Sequence, residues 1–317
     1  MSFKIIGTGS YVPEFTVTND NLADMVETSD EWITQRVGVR ERRISTSESA
    51  AQMGYEAAKR ALEMANTSPE ELDLIVAASI SSDTVCPTVA GTVQSLLKAS
   101  CPAFDVNSAC SGFMFALDTA AGFFERKKAK KALVLGAERI SKLIDWTDRN
   151  TCVIFGDGAG AAVLETGEGY IDSQLFTEGG DGVIKIPSSA GSSPFYKKEA
   201  EPPHIFMNGQ QTFKFAVNAM TQSVINLAER VGITPNDLKF IVPHQANIRI
   251  IQLASKRLDI PMERFFVNID KYGNTSAASV PIALDELNRT GELKEGDLVA
   301  LTAFGGGLSS ACCIIKW

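Results

Sequence analysis

Long apolar runs and an excess of positive charge are both missing from this chain. No stretch of about 18 apolar residues occurs, and the first ten residues lack the cationic flank and apolar segment of a secretory signal. The 30 lysines and arginines are outnumbered by 38 aspartates and glutamates, so the formal net charge is −8. This balance disfavours general binding to nucleic acids. We therefore expect a cytoplasmic protein without nucleic-acid or membrane partners.

Cysteine is present, but without the spacing of disulfide-rich or metal-binding domains. Six cysteines are spread over 317 residues, and none forms a C-x-x-C pair. Small secreted scaffolds that depend on disulfides have a much higher cysteine density. We expect free thiols and no zinc or redox centre of the C-x-x-C type.

Strand-like and helix-like segments alternate along the chain. Apolar, strand-like runs occupy residues 74–78, 132–135, 240–242 and 298–302. Helical periodicity is found around residues 50–65, 111–126, 211–230 and 277–289. The alternation predicts the α/β fold class.

One segment recurs in the second half of the chain. Residues 67–76 and 233–242 match closely, and the matching prolines, Pro69 and Pro235, are 166 residues apart. A single repeat at this offset indicates a duplication, with two similar halves packed together. We place the halves at 1–170 and 171–317. The segment 179–203, rich in glycine, serine and proline, is predicted to be a surface loop near a binding site.

Cys110 lies between a strand-like segment and a helical segment. The apolar residues 103–106 precede it, and a helical pattern begins at Phe113. At a helix start, free backbone N–H groups and the helix dipole favour the thiolate, the form that a nucleophile requires. A buried packing cysteine is the alternative interpretation. For the other five cysteines we predict packing roles.

Only two histidines are available to transfer a proton. His244 follows the strand-like residues 240–242, at the carboxyl end where open α/β sheets bind their ligands. His204 lies beside the predicted loop and is expected at the surface. His244 is therefore the candidate partner of Cys110, with a structural role as the alternative.

Asn274 lies in a glycine turn that opens a helical segment, 164 residues after Cys110. If the halves are duplicates, both residues begin equivalent helices, and pseudo-twofold packing brings them together at the interface. An N-cap is the alternative role for Asn274.

Two glycine-rich runs are candidate binding loops. Residues 303–308 follow a predicted strand and could offer backbone N–H groups to an oxyanion, with a tight turn as the alternative. Residues 155–161 lack the Lys-Ser/Thr of a phosphate loop, so we favour glycine packing there.

Several of these segments combine into one pattern. They are Asp105 to Gly112 with Cys110, Gly156 to Gly160, Val-Pro-His-Gln-Ala-Asn at 242–247, Gly-Asn-Thr-Ser-Ala-Ala-Ser at 273–279, and Ala-Phe-Gly-Gly-Gly at 303–307. In this order they closely resemble the β-ketoacyl-acyl carrier protein synthase III family, the initiating condensing enzymes of type II fatty acid synthesis. With residues 5–13 and 28–33, the resemblance spans nearly the whole chain. It implies a homodimer of thiolase-like, five-layered α-β-α-β-α subunits.

The resemblance also implies an activity. Cys110 takes an acyl primer from an acyl-CoA, while the N–H groups of Cys110 and Gly306 hold the oxyanion. His244 and Asn274 then stabilise the enolate formed from malonyl-acyl carrier protein, which attacks the acyl group. No metal or redox cofactor is required. Elongating synthases would show a second catalytic histidine and thiolases a second catalytic cysteine, and this chain offers neither pattern.

The family pattern carries further residues over to this chain. Those implied to contact coenzyme A are Trp32, Arg36, Arg149, Gly209, Phe213, Ala246 and Asn247. Those implied to dock the acidic carrier protein are Lys214, Arg249, Lys256 and Arg257. Those implied to line the acyl pocket are Cys86, Ile140 and Phe155.

Cys86 departs from the pattern of acetyl-preferring relatives. Those relatives commonly carry a phenylalanine at this position, and the side chain projects into the partner subunit's acyl pocket. Because the cysteine is smaller, we predict room for primers longer or more branched than acetyl.

Parts of this pattern also fit three other functions. A related initiating ketosynthase could prime a polyketide or another secondary metabolite with the same triad. A cysteine hydrolase would also use Cys-His-Asn, with histidine activating the thiol. A non-catalytic partner subunit is disfavoured because such subunits usually lose the nucleophile.

Overall fold

The computed structural model describes residues 2–188, 194–195, 199 and 201–317. Their strands are β1 (Ser2–Tyr11), β2 (Thr16–Thr18), β3 (Glu41–Arg43), β4 (Leu74–Ala78), β5 (Ala103–Val106), β6 (Lys131–Glu138), β7 (Gly158–Gly167), β8 (Tyr170–Thr177), β9 (Ile184–Lys185), β10 (Phe206–Met207), β11 (Phe240–Pro243), β12 (Leu298–Gly305) and β13 (Ser309–Lys316). Their helices are α1 (Asn19–Ala23), α2 (Asp30–Arg36), α3 (Ala50–Met64), α4 (Val89–Leu97), α5 (Gly112–Glu125), α6 (Gly209–Arg230), α7 (Ile248–Leu258), α8 (Ile269–Tyr272) and α9 (Ser279–Thr290). None of these helices has the length and apolar character needed to span a bilayer.

Two sheets form the centre of the molecule. The first has the strand order β1-β7-β6-β4-β5, and the second has the order β11-β12-β13-β8. Strand β4 runs parallel to β5 and β6, and β11 runs parallel to β12. The carboxyl ends of these parallel strands are where the chain turns towards its helices, which is where ligands bind in open α/β sheets.

Helices cover both sheets and separate them. Helices α3 and α4 pack on one face of the first sheet, α5 and α9 fill the space between the sheets, and α6 and α7 cover the second sheet. The largest apolar cluster lies in the middle layer and joins α5 and α9 to inward-facing residues of both sheets, including Val134 and Leu301. The predicted α/β class and the five-layered α-β-α-β-α arrangement are confirmed.

The predicted elements agree with the observed ones except near some ends. Helix α6 begins at Gly209, two residues earlier than expected, because the side chain of Asn208 accepts a hydrogen bond from Gln211 N and caps it. Strand β12 extends to Gly305, where Gly305 pairs with Ser309 across the hairpin to β13. The glycine run is thus partly strand, and the turn itself is short. Part of the predicted loop 179–203 lies outside the described residues. Its described part contains β9, which pairs with β10 just after the loop.

The duplication is visible in matched turns. The 3₁₀ turns Pro69–Glu71 and Pro235–Asp237 lead into β4 and β11. The division at residue 170 stays a prediction, although β7 belongs to the first sheet and β8 to the second.

The expected equivalence of Cys110 and Asn274 is wrong by three residues. Asn274 corresponds instead to Asn107, 167 positions earlier. The Oδ1 atom of each accepts a hydrogen bond from the N–H two residues later, in Ala109 and Ser276 respectively. Ala109 and Ser276 also share a positive φ, +46° and +51°. The two halves therefore repeat the same asparagine turn, and Cys110 lies beyond it.

Candidate active site

A cavity of about 1950 Å³ lies between the two halves. Its walls include Cys110 from the first half and His244, Asn274 and Gly306 from the second. The strand and helix ends that carry these residues meet because the 3₁₀ turns before α5 and α9, Ala109–Ser111 and Ser276–Ala278, pack against each other. The three residues predicted to act together are thus brought to one space.

Cys110 lies on a short 3₁₀ turn, Ala109–Ser111, between β5 and α5. This is the strand-to-helix turn that the sequence predicted. Gly305 comes very close to it: a Cβ atom on Gly305 would lie 2.7 Å from the backbone N of Cys110. Only glycine permits this approach, which brings the β12–β13 turn against the nucleophile.

The surroundings of Cys110 affect the protonation of its thiol. The residue is half-buried and lines the cavity. Burial raises the pKa of Cys110 to about 12, the nearby Ser276 hydroxyl opposes this rise, and the Glu138 carboxylate adds to it. The predicted stabilisation of a thiolate at the helix start stays a prediction, and burial of the thiol acts against it.

His244 follows β11, and its backbone N–H donates to Thr302 O of the neighbouring strand at 2.8 Å. The residue is 1% exposed, and burial lowers its pKa to about 3. The imidazole is therefore neutral throughout the physiological range. Its ring stands edge-on to Phe304, with 5.2 Å between ring centroids. Nδ1 has no hydrogen-bond partner in the described part of the chain.

Asn274 is held by its own backbone. Its N–H donates to Ile154 O, and its carbonyl accepts from Gly156 N. The side-chain Oδ1 accepts from Ser276 N at 2.8 Å. With the oxygen occupied in this way, the amide NH₂ is the part of the side chain left to donate to a ligand.

Three serine hydroxyls join the nucleophile turn to the glycine turn. The Oγ atoms of Ser111 and Ser309 are 2.8 Å apart, and those of Ser108 and Ser111 are 3.3 Å apart. Ser309 Oγ also lies 3.0 Å from Gly306 O and 3.2 Å from Ser108 O, so its single proton can be donated to either carbonyl. These bonds fix the relative position of the two N–H groups, of Cys110 and Gly306, that are predicted to hold an oxyanion.

Known families match this chain over most of its length. The model of 3-oxoacyl-[acyl-carrier-protein] synthase III matches residues 104–179, and the model of its C-terminal part matches residues 228–317. A beta-ketoacyl-[acyl-carrier-protein] synthase III of Clostridium acetobutylicum is 47% identical over 100% of this chain and 99% of the relative. The chain belongs to the 3-oxoacyl-[acyl-carrier-protein] synthase III family.

Solved structures of related proteins share the fold. The synthase III of Aquifex aeolicus superposes with a TM-score of 0.94 at 44% identity, covering 99% of this chain and 100% of the other. The priming β-ketosynthase of the R1128 polyketide pathway superposes with a TM-score of 0.93 at 34% identity, covering 99% and 96%. The thiolase fold expected for a synthase III is confirmed.

Most residues implied to contact coenzyme A in a synthase III line the same cavity. They are Trp32, Arg36, Gly209, Phe213, Ala246 and Asn247. Asn247 Nδ2 donates to Arg36 O at 3.0 Å, which ties helix α2 to the start of α7. Arg149 is not part of the lining, but its guanidinium carbon lies 5.2 Å from the Trp32 ring centroid. The stacking residue and a positive charge are thus adjacent at one end of the cavity.

Of the four residues implied to dock a carrier protein, one lines the cavity and three do not. Arg249 lines the cavity, with its guanidinium carbon 5.9 Å from the Phe213 ring centroid. Lys214, Lys256 and Arg257 lie outside the lining. Arg257 donates to Asn218 Oδ1 at 2.6 Å, which connects α7 to α6. Only Arg249 therefore joins the predicted docking surface to the cavity.

Of the three predicted acyl-pocket residues, two line the cavity and one does not. Ile140 and Phe155 line the cavity. Cys86 is exposed and outside the lining, although Val85 beside it contributes to the wall and is 98% exposed in the single chain. His204 was predicted to be at the surface; it is exposed and also lines the cavity mouth.

Sequence analysis missed two buried residues beside the nucleophile. Glu138 follows the apolar run of β6 and is fully buried, and Ser276 is 1% exposed. A signal for Glu138 was present, because an acidic residue directly at the end of a buried strand is unusual. Ser276 lay within the recognised 273–279 segment, but its neighbours across the fold are invisible in the sequence.

Proposed function

We propose that this protein transfers an acyl primer from an acyl-CoA to Cys110 and condenses it with malonyl-acyl carrier protein to give a 3-ketoacyl-acyl carrier protein, initiating fatty acid biosynthesis. The observation that carries the proposal is the convergence of a thiol, a neutral imidazole and an amide on one cavity. Membership of the synthase III family supports the same reaction.

The first half-reaction is acyl transfer. Cys110 Sγ attacks the thioester carbonyl, and the resulting oxyanion accepts hydrogen bonds from the N–H groups of Cys110 and Gly306. The carbon–sulfur bond to coenzyme A then breaks, and the acyl group stays on Cys110. The serine contacts between the two turns keep both N–H donors in place.

The second half-reaction is decarboxylative condensation. Loss of CO₂ from the malonyl group leaves an enolate, whose oxygen accepts hydrogen bonds from His244 and the Asn274 NH₂ group. Because burial lowers the pKa of His244 to about 3, the imidazole donates as a neutral group and does not protonate the enolate. The enolate carbon attacks the acyl carbonyl, and the Cys110 sulfur leaves.

We further propose a homodimer that works in the cytoplasm without a metal or redox cofactor. The outer edge of β5 has no strand partner in the described part of the chain, and the nearby Val85 is 98% exposed. An open strand edge beside an exposed apolar side chain is suited to association with a second copy. Light scattering that gives the mass of one chain at micromolar concentration would contradict the dimer.

The activity is tested by mass spectrometry of the intact protein. Incubation with acetyl-CoA and, separately, with isobutyryl-CoA is expected to add one acyl group at Cys110, and malonyl-acyl carrier protein is expected to remove it as the 3-ketoacyl product. Cys110→Ala is the control that should take up no acyl group. Because Cys86 is small, the branched primer is expected to react as well. Absence of any adduct at Cys110 would rule out the mechanism.

The similarity to a polyketide priming enzyme supports a second candidate function. In that case the same residues would load a primer for a polyketide carrier protein. Rates of discharge from acyl-Cys110 to malonyl groups on the two kinds of carrier protein distinguish the candidates. Release of the acyl group to water without condensation would instead favour a cysteine hydrolase.

A further inference from the structure

A buried arginine that has no part in the chemistry described so far lies next to the turn that carries Asn274. Arg42 belongs to β3 and is 0% exposed. Its Nη1 atom donates to Val17 O at 3.1 Å, and its Nη2 atom donates to Asn19 Oδ1 and to Val153 O, both at 2.9 Å. These three acceptors are neutral oxygens. Burying a charge against neutral groups is costly, and the segments that Arg42 joins indicate its role.

Strand β3 holds the segment 153–157 at both ends. At one end the Arg42 guanidinium donates to Val153 O. At the other end the carbonyl of Arg43 accepts from Asp157 N at 2.8 Å. The segment lies just before β7 and belongs to no helix, so its position depends on such bonds to its neighbours.

Asn274 is attached to the middle of the same segment. Its N–H donates to Ile154 O at 2.9 Å, and its carbonyl accepts from Gly156 N at 3.1 Å. The side-chain stem of Arg42 lies against this junction: a Cβ atom on Gly156 would lie 3.1 Å from Arg42 Cβ, and one on Gly273 would lie 3.6 Å from it. Arg42 therefore touches the segment and the turn of Asn274 at once.

The other side of the guanidinium is anchored by Asn19, which is 1% exposed. Asn19 Oδ1 accepts from Arg42, while its Nδ2 atom donates to Asp30 Oδ1 and to Val39 O, both at 2.8 Å. With both ends of its amide bonded, Asn19 is a fixed partner. The planar guanidinium can bond this partner and the segment 153–157 together, which a single ammonium group cannot do with the same geometry.

We propose that Arg42 positions the side-chain amide of Asn274 for donation to the enolate. Asn274 Oδ1 is bonded to Ser276 N at 2.8 Å, so the direction of its NH₂ group follows the backbone of the turn. A shift of the segment 153–157 moves that backbone and the donor with it. Arg42 does not line the cavity and acts only through Asn274, so it is a positioning residue. The assignment rests on the proposed function.

The first test compares the two half-reactions in Arg42→Met, which removes the guanidinium and leaves an apolar side chain. Release of CO₂ from malonyl-acyl carrier protein should fall about 10- to 100-fold, the cost of misplacing a donor by about 1 Å. Acylation of Cys110 by acetyl-CoA should stay within a few-fold of normal, because the serine contacts of the nucleophile turn do not involve Arg42. Arg42→Lys keeps the charge and should give an intermediate loss. Equal losses in both half-reactions would overturn the proposal.

A double-mutant cycle tests whether Arg42 acts through Asn274. Asn274→Ala removes the donor and should itself slow CO₂ release. Adding Arg42→Met should then cost less than about twofold more, because no amide is left to position. Losses that multiply would show that Arg42 acts by another route. Arg264→Met is the matched control: its guanidinium also holds two backbone carbonyls, of Asn236 and Leu238, before β11, and its loss should leave both half-reactions unchanged.

Hydrogen exchange gives a measurement that does not depend on the proposed function. In Arg42→Met the amides of Gly156 and Asn274 should exchange at least about tenfold faster, whereas the amide of Ser111 in the nucleophile turn should not. Arg42→Lys serves in both tests if Arg42→Met does not fold. Absence of CO₂ release in the unaltered protein would reject the proposed function alone. Unchanged exchange at Gly156 and Asn274, or faster exchange throughout the chain, would overturn the positioning role whatever the activity.

Discussion

Burial shifts the pKa values of the reactive side chains of this protein in opposite directions. It moves the pKa of Cys110 up from 9.0 and that of His244 down from 6.5, which favours the neutral form of each group. A cysteine hydrolase needs a histidine basic enough to activate its thiol, and His244 is not. A neutral imidazole is instead suited to donating a hydrogen bond to an enolate.

His244→Ala is expected to separate the two half-reactions. The variant loses one hydrogen-bond donor to the enolate, so malonyl decarboxylation should slow by about 100- to 1000-fold. Acylation of Cys110 should remain within a few-fold of normal, because the hydrogen bond that His244 donates is to the enolate of the second step. Release of CO₂ from malonyl-acyl carrier protein and the mass of the acyl-enzyme measure the two steps. Equal losses in both would contradict this division of roles.

At the scale of elements, local sequence signals placed most helices and strands but not the contacts between turns. The start of α3, for example, is signalled by Ser49 and Gln52, which form a reciprocal capping box. The close approach of Gly305 to Cys110 has no such signal, since the residues are far apart in the chain. It arises because the β12–β13 hairpin of one half packs against the nucleophile turn of the other.

Gly305→Ala should therefore displace the nucleophile. The added Cβ would lie 2.7 Å from Cys110 N, and neither backbone segment can yield without moving the oxyanion donors. Acylation by acetyl-CoA is expected to fall about 100-fold or more. The matched control is Gly122→Ala on α5, where a Cβ meets no atom within 4 Å. That change should leave acylation intact and stabilise the fold by up to about 1 kcal/mol; a Gly305→Ala enzyme as active as this control would refute the argument.

At the scale of the whole molecule, packing two similar halves creates both the cavity and a pH-dependent stability. His244 remains unprotonated in the folded protein down to about pH 3, while the unfolded chain binds a proton below about 6.5. The contribution of His244 to the unfolding free energy therefore falls as the pH falls from about 6.5 to 3. Glu138 has the opposite sign: its pKa is raised from 4.5 to about 7, so its contribution falls as the pH rises through that window.

His244 and Glu138 change the unfolding free energy with pH in opposite directions. The contribution of His244 is therefore isolated by comparing the unfolding free energies of His244→Gln and the unaltered protein. We take the unfolding free energy of the variant minus that of the unaltered protein. This difference should be about 2 kcal/mol more favourable to the variant at pH 5 than at pH 7.5, because the variant lacks the histidine that the unfolded chain protonates. Urea unfolding at the two pH values measures both free energies. A difference that does not vary with pH would show that His244 is not desolvated.

Local sequence signals were enough to predict the α/β class, the order of the main elements and the candidate residues Cys110, His244 and Asn274. Those features depend on local periodicity, turn residues and short motifs, and each of these signals lies within a short stretch of the chain. Only the tertiary structure shows that burial raises the pKa of Cys110, that Asn274 matches Asn107, and that the turn of Ser276 packs against the nucleophile turn. Each of these depends on burial or on contacts between distant segments, and desolvation is a property of the packed molecule, not of any one stretch of chain.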